Sequence, residues 1–121
     1  MSIKVLIIDD AIHIRRLIAR MLDQDNFTTL EASDGLEGLQ LLKEEKPDVV
    51  TCDISMPLMD GYEFLRAAKQ DSETQNIPVI MITAVGEEEE TNKALEMGAD
   101  ACLTKPFSSS RLLAAIEAQL N

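Results

Sequence analysis

Short apolar runs alternate along the chain with longer stretches in which apolar residues recur at helical spacing. The apolar runs occupy residues 3–8, 48–53, 77–83 and 100–104, and a weaker run, TTLEA, occupies 28–32. Because the strong runs stay apolar instead of alternating with polar residues, they are typical of strands buried on both faces of a sheet. The weaker run predicts a strand near an edge of that sheet.

The stretches that follow these runs predict five α-helices. The apolar stripe of the first helix consists of Ile14, Leu17, Ile18, Met21 and Leu22, and similar patterns occur near 36–42, 64–68, 87–97 and 112–120. Several boundaries are marked by residues that favour helix ends: Pro47 after the second helix, Asp60-Gly61 before the third, Gly98 after the fourth, and Ser108 to Ser110 before the fifth. The acidic run 87–90 suits the positive end of the fourth helix dipole.

Five strands that alternate with five helices require right-handed crossovers, and therefore a parallel sheet covered by helices on both faces. We predict an α/β fold of this kind, a doubly wound, flavodoxin-like sheet that residues 1–121 form as a single domain. The strand order 2-1-3-4-5 is a known property of such folds and is not fixed by the residues themselves.

Acidic residues outnumber basic residues by 22 to 11, which gives a formal net charge of −11. Such a chain repels phosphate backbones and anionic lipids, so direct binding to nucleic acid or to a membrane surface is disfavoured. Solubility and a cation site explain the excess of acid equally well. Cys52 and Cys102 lie inside apolar runs and no secretory signal is visible, which predicts reduced core thiols in a cytoplasmic protein.

Polar residues collect at the carboxyl ends of the predicted strands. Asp9 and Asp10 follow the first strand, Asp53 ends the third, Thr83 ends the fourth and Lys105 follows the fifth. Ligands of open parallel sheets bind at these ends, where the strand order reverses. If the first and third strands are neighbours, the three carboxylates converge, and at ~5 Å each pair repels by roughly 3 kcal/mol.

Converging carboxylates must hold a proton, attract a lysine or bind a cation. Oxygen ligands suit a hard ion such as Mg²⁺, whereas the absence of a His or Cys cluster disfavours softer metals. The lone His13 is expected on the surface. With a hydroxyl from Thr83 and an ammonium from Lys105, the site could stabilise a phosphoryl group in transfer, and Asp53 would be the nucleophile that forms an aspartyl phosphate.

Four motifs closely resemble those of the response-regulator receiver domains of two-component signalling, in particular single-domain chemotaxis regulators. IIDDA (7–11) is similar to the acidic pair of that family, and CDISMPLMDG (52–61) to its phosphoacceptor loop. TA (83–84) is similar to its threonine-plus-small-residue site, and TKPF (104–107) to its lysine-proline turn. The motifs occur in the family's order and spacing, and the resemblance covers essentially the whole chain.

The resemblance implies a set of metal ligands. Asp10 and Asp53 would bind Mg²⁺ directly, Ser55 would contribute its backbone carbonyl, and Asp9 would act mainly through water. A phosphohistidine on a histidine kinase or on a histidine phosphotransfer protein would be the phosphoryl donor.

The resemblance also implies how the phosphoryl group is held. Asp53 would accept it, Thr83 and Lys105 would bind its oxygens, and Ala84 would leave the site open. The Lys105–Pro106 peptide bond would be cis. Phosphorylation would then change the face formed by the fourth helix, the fifth strand and the fifth helix, through which the chain controls a downstream protein as a monomer or a phosphorylation-dependent dimer.

Two features of this chain bear on that mechanism. Cys102 stands where the family often carries an aromatic residue that swings inward with the threonine, so this switch cannot operate as usually described. Ser55 and Val85 supply neither an acid nor an amide to place a hydrolytic water, which predicts a moderately long-lived phosphoryl state.

The fourth helix has a thin apolar stripe and is expected to be weakly held. The first helix, near Ile12, Ile14 and Arg15, is the expected docking site for a kinase.

Other functions remain open. A degenerate receiver would bind partners without phosphorylation, although such domains usually lack part of the acidic pocket or the lysine. A receiver that belongs to a longer regulator would carry the same motifs. An electron carrier is disfavoured because no hydroxyl-rich loop follows the first strand, and a phosphatase because Ala11 stands where a second aspartate is needed. We expect the chain to catalyse its own phosphorylation and dephosphorylation without being a conventional enzyme.

Overall fold

The computed structural model describes residues 2–23 and 26–120, so the ends of the predicted domain, residues 1 and 121, lie outside it. The described elements alternate between strand and helix. They are β1 (Ile3–Ile8), α1 (Ile12–Met21), β2 (Phe27–Ala32), α2 (Gly35–Glu45), β3 (Val49–Asp53), α3 (Gly61–Gln70), β4 (Val79–Ala84), α4 (Glu88–Glu96), β5 (Ala101–Lys105) and α5 (Ser109–Leu120).

The described strands pair in parallel in the order β2-β1-β3-β4-β5. This order confirms the predicted doubly wound α/β fold, and it places the weak strand β2 at an edge. β1 and β3 are direct neighbours, with Ile8 opposite Cys52. Because the winding direction reverses between these two strands, their carboxyl ends form the crevice in which open α/β sheets bind ligands.

The sheet separates two apolar cores. In β1, Ile8 packs into the core beneath α2, α3 and α4, whereas Ile7 packs towards α1 and α5. Successive side chains of a strand point to opposite faces, so the same alternation decides the orientation of residues at the strand ends. Cys52 packs on the face covered by α3 and α4, so the next side chain, that of Asp53, points to the α1/α5 face. Ile82 packs on the α1/α5 face, so the side chain of Thr83 points to the face covered by α3 and α4.

Helix ends follow the predicted cap residues at three places. Asp60 and Glu63 form a capping box at the start of α3, and the Ser108 hydroxyl accepts a hydrogen bond from the amide of Arg111 at 3.2 Å. Gly98 ends the fourth helix with a φ of +109°, a conformation that glycine adopts without strain.

Some predicted boundaries and stripes differ from the structure. β4 begins at Val79 and not at residue 77, because the amide of Ile77 turns back to the carbonyl of Thr74 at 3.0 Å. In α1, Ile18 is buried, but Leu17 lies at the flank of the stripe and is 46 % exposed. Within the described part of the chain, each helix is too short or too polar to cross a membrane.

Candidate functional site

Three carboxylates meet at the carboxyl ends of β1 and β3. Asp9 and Asp10 follow β1 directly, and Asp53 is the last residue of β3. One oxygen from each carboxylate lies within 4.8 Å of the others. Asp9 and Asp53 are buried, with 1 % and 8 % of their surface exposed, whereas Asp10 is exposed. The predicted convergence of the three groups is therefore confirmed.

Asp9 is fixed by residues of the loop and helix that follow it. Its Oδ1 accepts a hydrogen bond from the amide of Ala11 at 2.9 Å, and its backbone carbonyl accepts one from Nη1 of Arg15 at 2.8 Å. Arg15 also pairs with Glu31 on β2, with Nε and Oε1 3.3 Å apart. These two contacts hold Arg15 between the acidic site and β2, and the expected docking site on the first helix stays a prediction.

The second oxygen of Asp9, Oδ2, is buried and accepts no hydrogen bond from the residues that the structure describes. The nearest cation in the site is Nζ of Lys105, at 3.9 Å. A buried carboxylate oxygen that has lost its hydrating water without gaining a donor is unfavourable. This atom therefore favours a proton or a cation beside it.

Lys105 reaches the acidic cluster from the end of β5. Its Nζ lies 3.2 Å from Oδ1 of Asp53 and donates a hydrogen bond to it. The Lys105–Pro106 bond that follows is cis, as predicted. A single ammonium faces three carboxylates, so the cluster keeps an excess of negative charge.

The environment raises the pKa of both buried carboxyl groups above the ordinary value of 3.8. For Asp53 the largest cause is burial, and the charge of Asp9 acts in the same direction, while Lys105 opposes both. For Asp9 the largest cause is again burial, which the amide of Ala11 and the charge of Lys105 partly offset. Removal of these carboxylates from water is thus only partly compensated by the protein.

The loop after Asp53 is fitted closely to the start of α3. The amide of Gly61 donates to the carbonyl of Ile54 at 2.8 Å. A Cβ on Gly61 would lie 2.5 Å from the backbone carbonyl oxygen of Asp53, so only glycine allows this approach. Leu58, in the same loop, adopts a φ of +67° and is 82 % exposed. The position of Asp53 is therefore fixed from the α3 side by backbone contacts.

Thr83 occupies a different environment from the acidic cluster. Asp53 lies opposite Ile82 in the sheet, so the backbone of Thr83 is one residue beyond that pair. Its side chain is buried, and its Oγ1 lies 3.4 Å from Oγ1 of Thr91 on α4, within hydrogen-bonding distance. The structure thus brings together the carboxylates and Lys105, while the hydroxyl of Thr83 contacts α4. Sequence analysis did not single out Thr91.

The remaining predicted residues lie around the site. Ser55 is exposed in the loop after β3, Ala84 is the exposed last residue of β4, and Val85 follows it in an exposed turn. His13 is exposed on α1, as expected. Of the two free thiols, Cys52 is buried and burial raises its pKa well above the ordinary value, whereas Cys102 is half-buried.

The donor set of the cluster fits a hard divalent cation. It consists of carboxylate oxygens only, and it carries more negative charge than Lys105 neutralises. It also includes the buried Oδ2 of Asp9, which accepts no hydrogen bond from the described residues. Mg²⁺ binds such oxygen ligands and usually keeps several of its waters, which the exposed side of the site at Asp10 accommodates.

The fold and the site together define a class of protein, a five-stranded doubly wound domain with an acidic crevice that a lysine contacts. Residues 5–117 match the family model described as the response regulator receiver domain, and the chain belongs to this family. It is therefore a receiver domain of two-component response regulators.

Curated relatives and solved structures agree with this assignment. The phosphate regulon transcriptional regulatory protein PhoB of Escherichia coli K12 is 39 % identical over 118 residues, which cover 98 % of this chain and 52 % of PhoB. PhoB of Pseudomonas aeruginosa is 40 % identical over 116 residues, which cover 96 % of this chain and 51 % of that protein. The chain thus spans about half the length of these curated relatives. The chemotaxis response regulator CheY4 of Vibrio cholerae is 32 % identical, with a TM-score of 0.91 and coverage of 99 % of this chain and 100 % of CheY4.

Proposed function

We propose that the chain is a phosphorylation-dependent signalling switch in which Asp53 accepts a phosphoryl group from a phosphohistidine. The observation that carries this proposal is the position of the Asp53 carboxylate, at the mouth of the crevice with Nζ of Lys105 at 3.2 Å and oxygens of Asp9 and Asp10 within 4.8 Å. A nucleophile, a cationic group and a cation-binding oxygen set are the components that phosphoryl transfer requires.

In the proposed reaction an oxygen of the Asp53 carboxylate forms a bond to phosphorus while the bond between phosphorus and the histidine nitrogen breaks. The nitrogen keeps the electron pair of the broken bond, so the histidine is regenerated. The reaction needs Asp53 in its ionised form. Lys105 supports that form, because its charge and its hydrogen bond both lower the pKa that burial raises.

The acidic cluster is the proposed Mg²⁺ site. Asp10, Asp53 and the backbone carbonyl of Ser55 would hold the ion, and Asp9 would contact it through water. When bound, Mg²⁺ would offset the charge of the carboxylates and of the phosphoryl oxygens. Two observations support this assignment: Oδ2 of Asp9 is buried without a hydrogen bond from the described residues, and the cluster has an excess of negative charge.

Thr83 and Lys105 are the proposed ligands of the phosphoryl oxygens. Lys105 already contacts the accepting carboxylate, whereas the hydroxyl of Thr83 contacts Thr91 and would have to turn towards Asp53. The exposed, small Ala84 leaves room for the donor to approach. The chain would catalyse its own phosphorylation and dephosphorylation, and it would not be a conventional enzyme.

The proposed partners are a histidine kinase or a histidine phosphotransfer protein as donor and a protein as downstream target. The exposed Ile12 on α1 lies next to the acidic loop and suits a contact with the donor. The face of α4, β5 and α5 is the proposed output surface, acting as a monomer or as a phosphorylation-dependent dimer. A net charge of −11 disfavours direct contact with nucleic acid. The free thiols of Cys52 and Cys102 suit a reducing cytoplasm.

The alternatives differ from this proposal in ways that can be measured. A degenerate receiver would bind its partners without a phosphoryl group, but the complete acidic cluster and Lys105 disfavour this reading. A receiver that forms part of a longer regulator would perform the same chemistry, and the half-length match to PhoB is compatible with it. The moderately long phosphoryl lifetime expected from Ser55 and Val85 stays a prediction.

The proposal is tested by labelling with a small phosphodonor such as acetyl phosphate, with and without Mg²⁺. Wild-type protein should take up about one phosphoryl group in a Mg²⁺-dependent manner, and Asp53→Asn should take up none. Asp23→Asn, which changes an exposed aspartate beyond the end of α1, is the matched control and should label like the wild type. Equal labelling of Asp53→Asn and the wild type would refute the proposal.

A further inference from the structure

The hydroxyl that the proposed mechanism needs at Asp53 is engaged elsewhere in the structure. Oγ1 of Thr83 lies 3.4 Å from Oγ1 of Thr91, and the same Thr91 oxygen lies 3.4 Å from the carbonyl of Glu87. A threonine hydroxyl has a single proton to donate. The Thr91 hydroxyl therefore donates either to Thr83 or to Glu87, and it lies between the end of β4 and the start of α4.

Polar contacts also hold the rest of α4 in place around Thr91. The hydroxyl of Tyr62 on α3 donates to the carbonyl of Glu90 at 3.2 Å, and Nζ of Lys93 lies 4.2 Å from the centre of the Tyr62 ring. On the other side, the thiol of Cys102 lies 3.8 Å from the carbonyl of Thr91. Thr91 is thus the point at which contacts from β4 and β5 meet on the helix.

Apolar packing contributes little to the position of this helix. Of the α4 residues that the structure describes, Ala94 is buried, whereas Leu95 is 46 % exposed. A helix held mainly by a few hydrogen bonds and one cation–π contact can change position at a small cost in free energy.

Thr83 cannot serve both sites at once. Because successive side chains of a strand alternate, the neighbours Cys52 and Ile82 place Thr83 on the face that α3 and α4 cover and Asp53 on the opposite face. A turn of the Thr83 hydroxyl towards a phosphoryl group on Asp53 would break its contact with Thr91. Conversely, a helix held in its present position favours the contact of that hydroxyl with Thr91.

We propose that Thr91 is the positioning residue that couples the state of Asp53 to the position of α4, in place of the aromatic residue that Cys102 replaces. This inference rests on the proposed function, because it needs a phosphoryl group on Asp53. When the side chain of Thr83 turns, the contact between the Thr83 and Thr91 hydroxyls breaks and α4 is released to move. The contacts of Tyr62 with Glu90 and Lys93 would then change. Coupling of this kind is reciprocal, so a weaker link at Thr91 favours phosphorylation.

Tyr62 supplies a direct readout, because the chain has one tyrosine and no tryptophan. Phosphorylation of the wild type should change the fluorescence and the near-ultraviolet circular dichroism of Tyr62. In Thr91→Val, which removes the hydroxyl and keeps the shape, that change should fall to less than half. The rate of labelling at Asp53 should rise about two- to tenfold, the factor that one neutral hydrogen bond typically contributes.

Two further variants separate the hydroxyl from the shape of the side chain. Thr91→Ser keeps a hydroxyl and should keep most of the Tyr62 change. Thr29→Val, in a half-buried position of edge strand β2, makes the same chemical change far from α4 and should behave like the wild type. If Thr91→Val fails to fold by far-ultraviolet circular dichroism, Thr91→Ala takes its place and is scored in the same way.

The outcomes distinguish the two proposals. If the wild type takes no label at Asp53, the proposed function fails and this inference fails with it. If Asp53 is labelled but Thr91→Val retains the full Tyr62 change, only the role of Thr91 is refuted. Loss of the change in Thr91→Ser as well would refute the role of the hydroxyl. A reduced change in Thr91→Val with retention in Thr91→Ser would support the inference.

Discussion

Helices α3 and α4 lie on the same face of the sheet but are held in different ways. α3 starts with the capping box of Asp60 and Glu63, and it buries Phe64, Leu65 and Ala68. In the described part of α4, by contrast, no side chain caps the first turn, and Ala94 is the buried residue. The helix that fits against the backbone of Asp53 is fixed by packing, whereas the helix that contacts Thr83 is held by polar contacts.

This difference fits the two tasks that the proposed switch would perform. A group that accepts a phosphoryl group needs fixed geometry, because small displacements of reacting atoms greatly slow transfer. An element that reports the modification must have two positions of similar free energy. In the proposed switch, the firmly packed helix after Asp53 would meet the first need, and the loosely held helix after Thr83 would meet the second.

The largest expected effect compares a core residue of α3 with an apolar residue of α4. Phe64→Ala removes a fully buried ring and should lower the free energy of unfolding by about 3–5 kcal/mol. Leu95→Ala, at a position 46 % exposed, should lower it by less than about 1 kcal/mol. Urea unfolding of the two variants measures both values. Similar losses would show that the two helices are held equally firmly.

A smaller effect is expected at two glycines, Gly61, which is the first residue of α3, and Gly86, which lies two residues before α4. Gly61→Ala places a Cβ 2.5 Å from the carbonyl oxygen of Asp53, so the strand end must shift. We expect Gly61→Ala to lower the free energy of unfolding by about 1–3 kcal/mol. We also expect it to slow the labelling of Asp53 at least about tenfold. Gly86→Ala is the control, since its Cβ meets no described atom within 4 Å and only its φ of +88° is unfavourable.

In Gly86→Ala the free energy of unfolding should fall by roughly 1 kcal/mol, and Asp53 should be labelled at the wild-type rate. Stopped-flow or gel-based labelling with a small phosphodonor compares the rates. Equal rates in Gly61→Ala and Gly86→Ala would mean that the close contact with α3 does not position Asp53.

The smallest expected effect on stability comes from the negative charge of Asp53. Because burial raises the folded-state pKa of Asp53, the folded protein binds this proton more tightly than the unfolded chain. Protonated Asp53 therefore contributes stability when the pH is below its ordinary pKa of 3.8, and this contribution is lost as the pH rises through the raised pKa of the folded state. Without Mg²⁺ at neutral pH, Asp53→Asn should thus be more stable than the wild type, by about 1–2 kcal/mol, since Lys105 offsets part of the repulsion.

Thermal unfolding across a pH series checks the sign of this effect. The advantage of Asp53→Asn should shrink as the pH falls towards 3.8, and added Mg²⁺ should stabilise the wild type more than the variant. An advantage that stays constant with pH would contradict the assigned cause.

Much of the fold follows from the sequence because local signals and global packing agree. Three of the four strong apolar runs became inner strands, whereas the run 100–104 became edge strand β5 and the weaker run became edge strand β2. Asp60 and Ser108 were recognisable as caps because capping depends on neighbouring backbone amides. The convergence of Asp9 with Asp53 required only that β1 and β3 be neighbours.

Other features depend on contacts between distant parts of the chain and could not be read from it. Arg15 lies off the apolar stripe of α1, and its contacts with the carbonyl of Asp9 and with Glu31 depend on how that helix leaves the sheet. Likewise, the sequence placed Thr83 at a strand end, but the pleat and the position of α4 decide that its hydroxyl meets Thr91. Within the polar, acidic sequence of α4, no local pattern distinguishes Thr91, so its proposed role could not be predicted from the sequence.

The central claim is that modification of Asp53 moves α4 and leaves α3 in place. Amide hydrogen exchange, followed by mass spectrometry with acetyl phosphate and Mg²⁺, tests it most directly in the wild type and in Asp53→Asn. We predict that exchange within α4 changes in the wild type alone, while exchange within α3 stays the same in both. Unchanged exchange in α4 of the labelled wild type, or the same change in Asp53→Asn, would contradict the account.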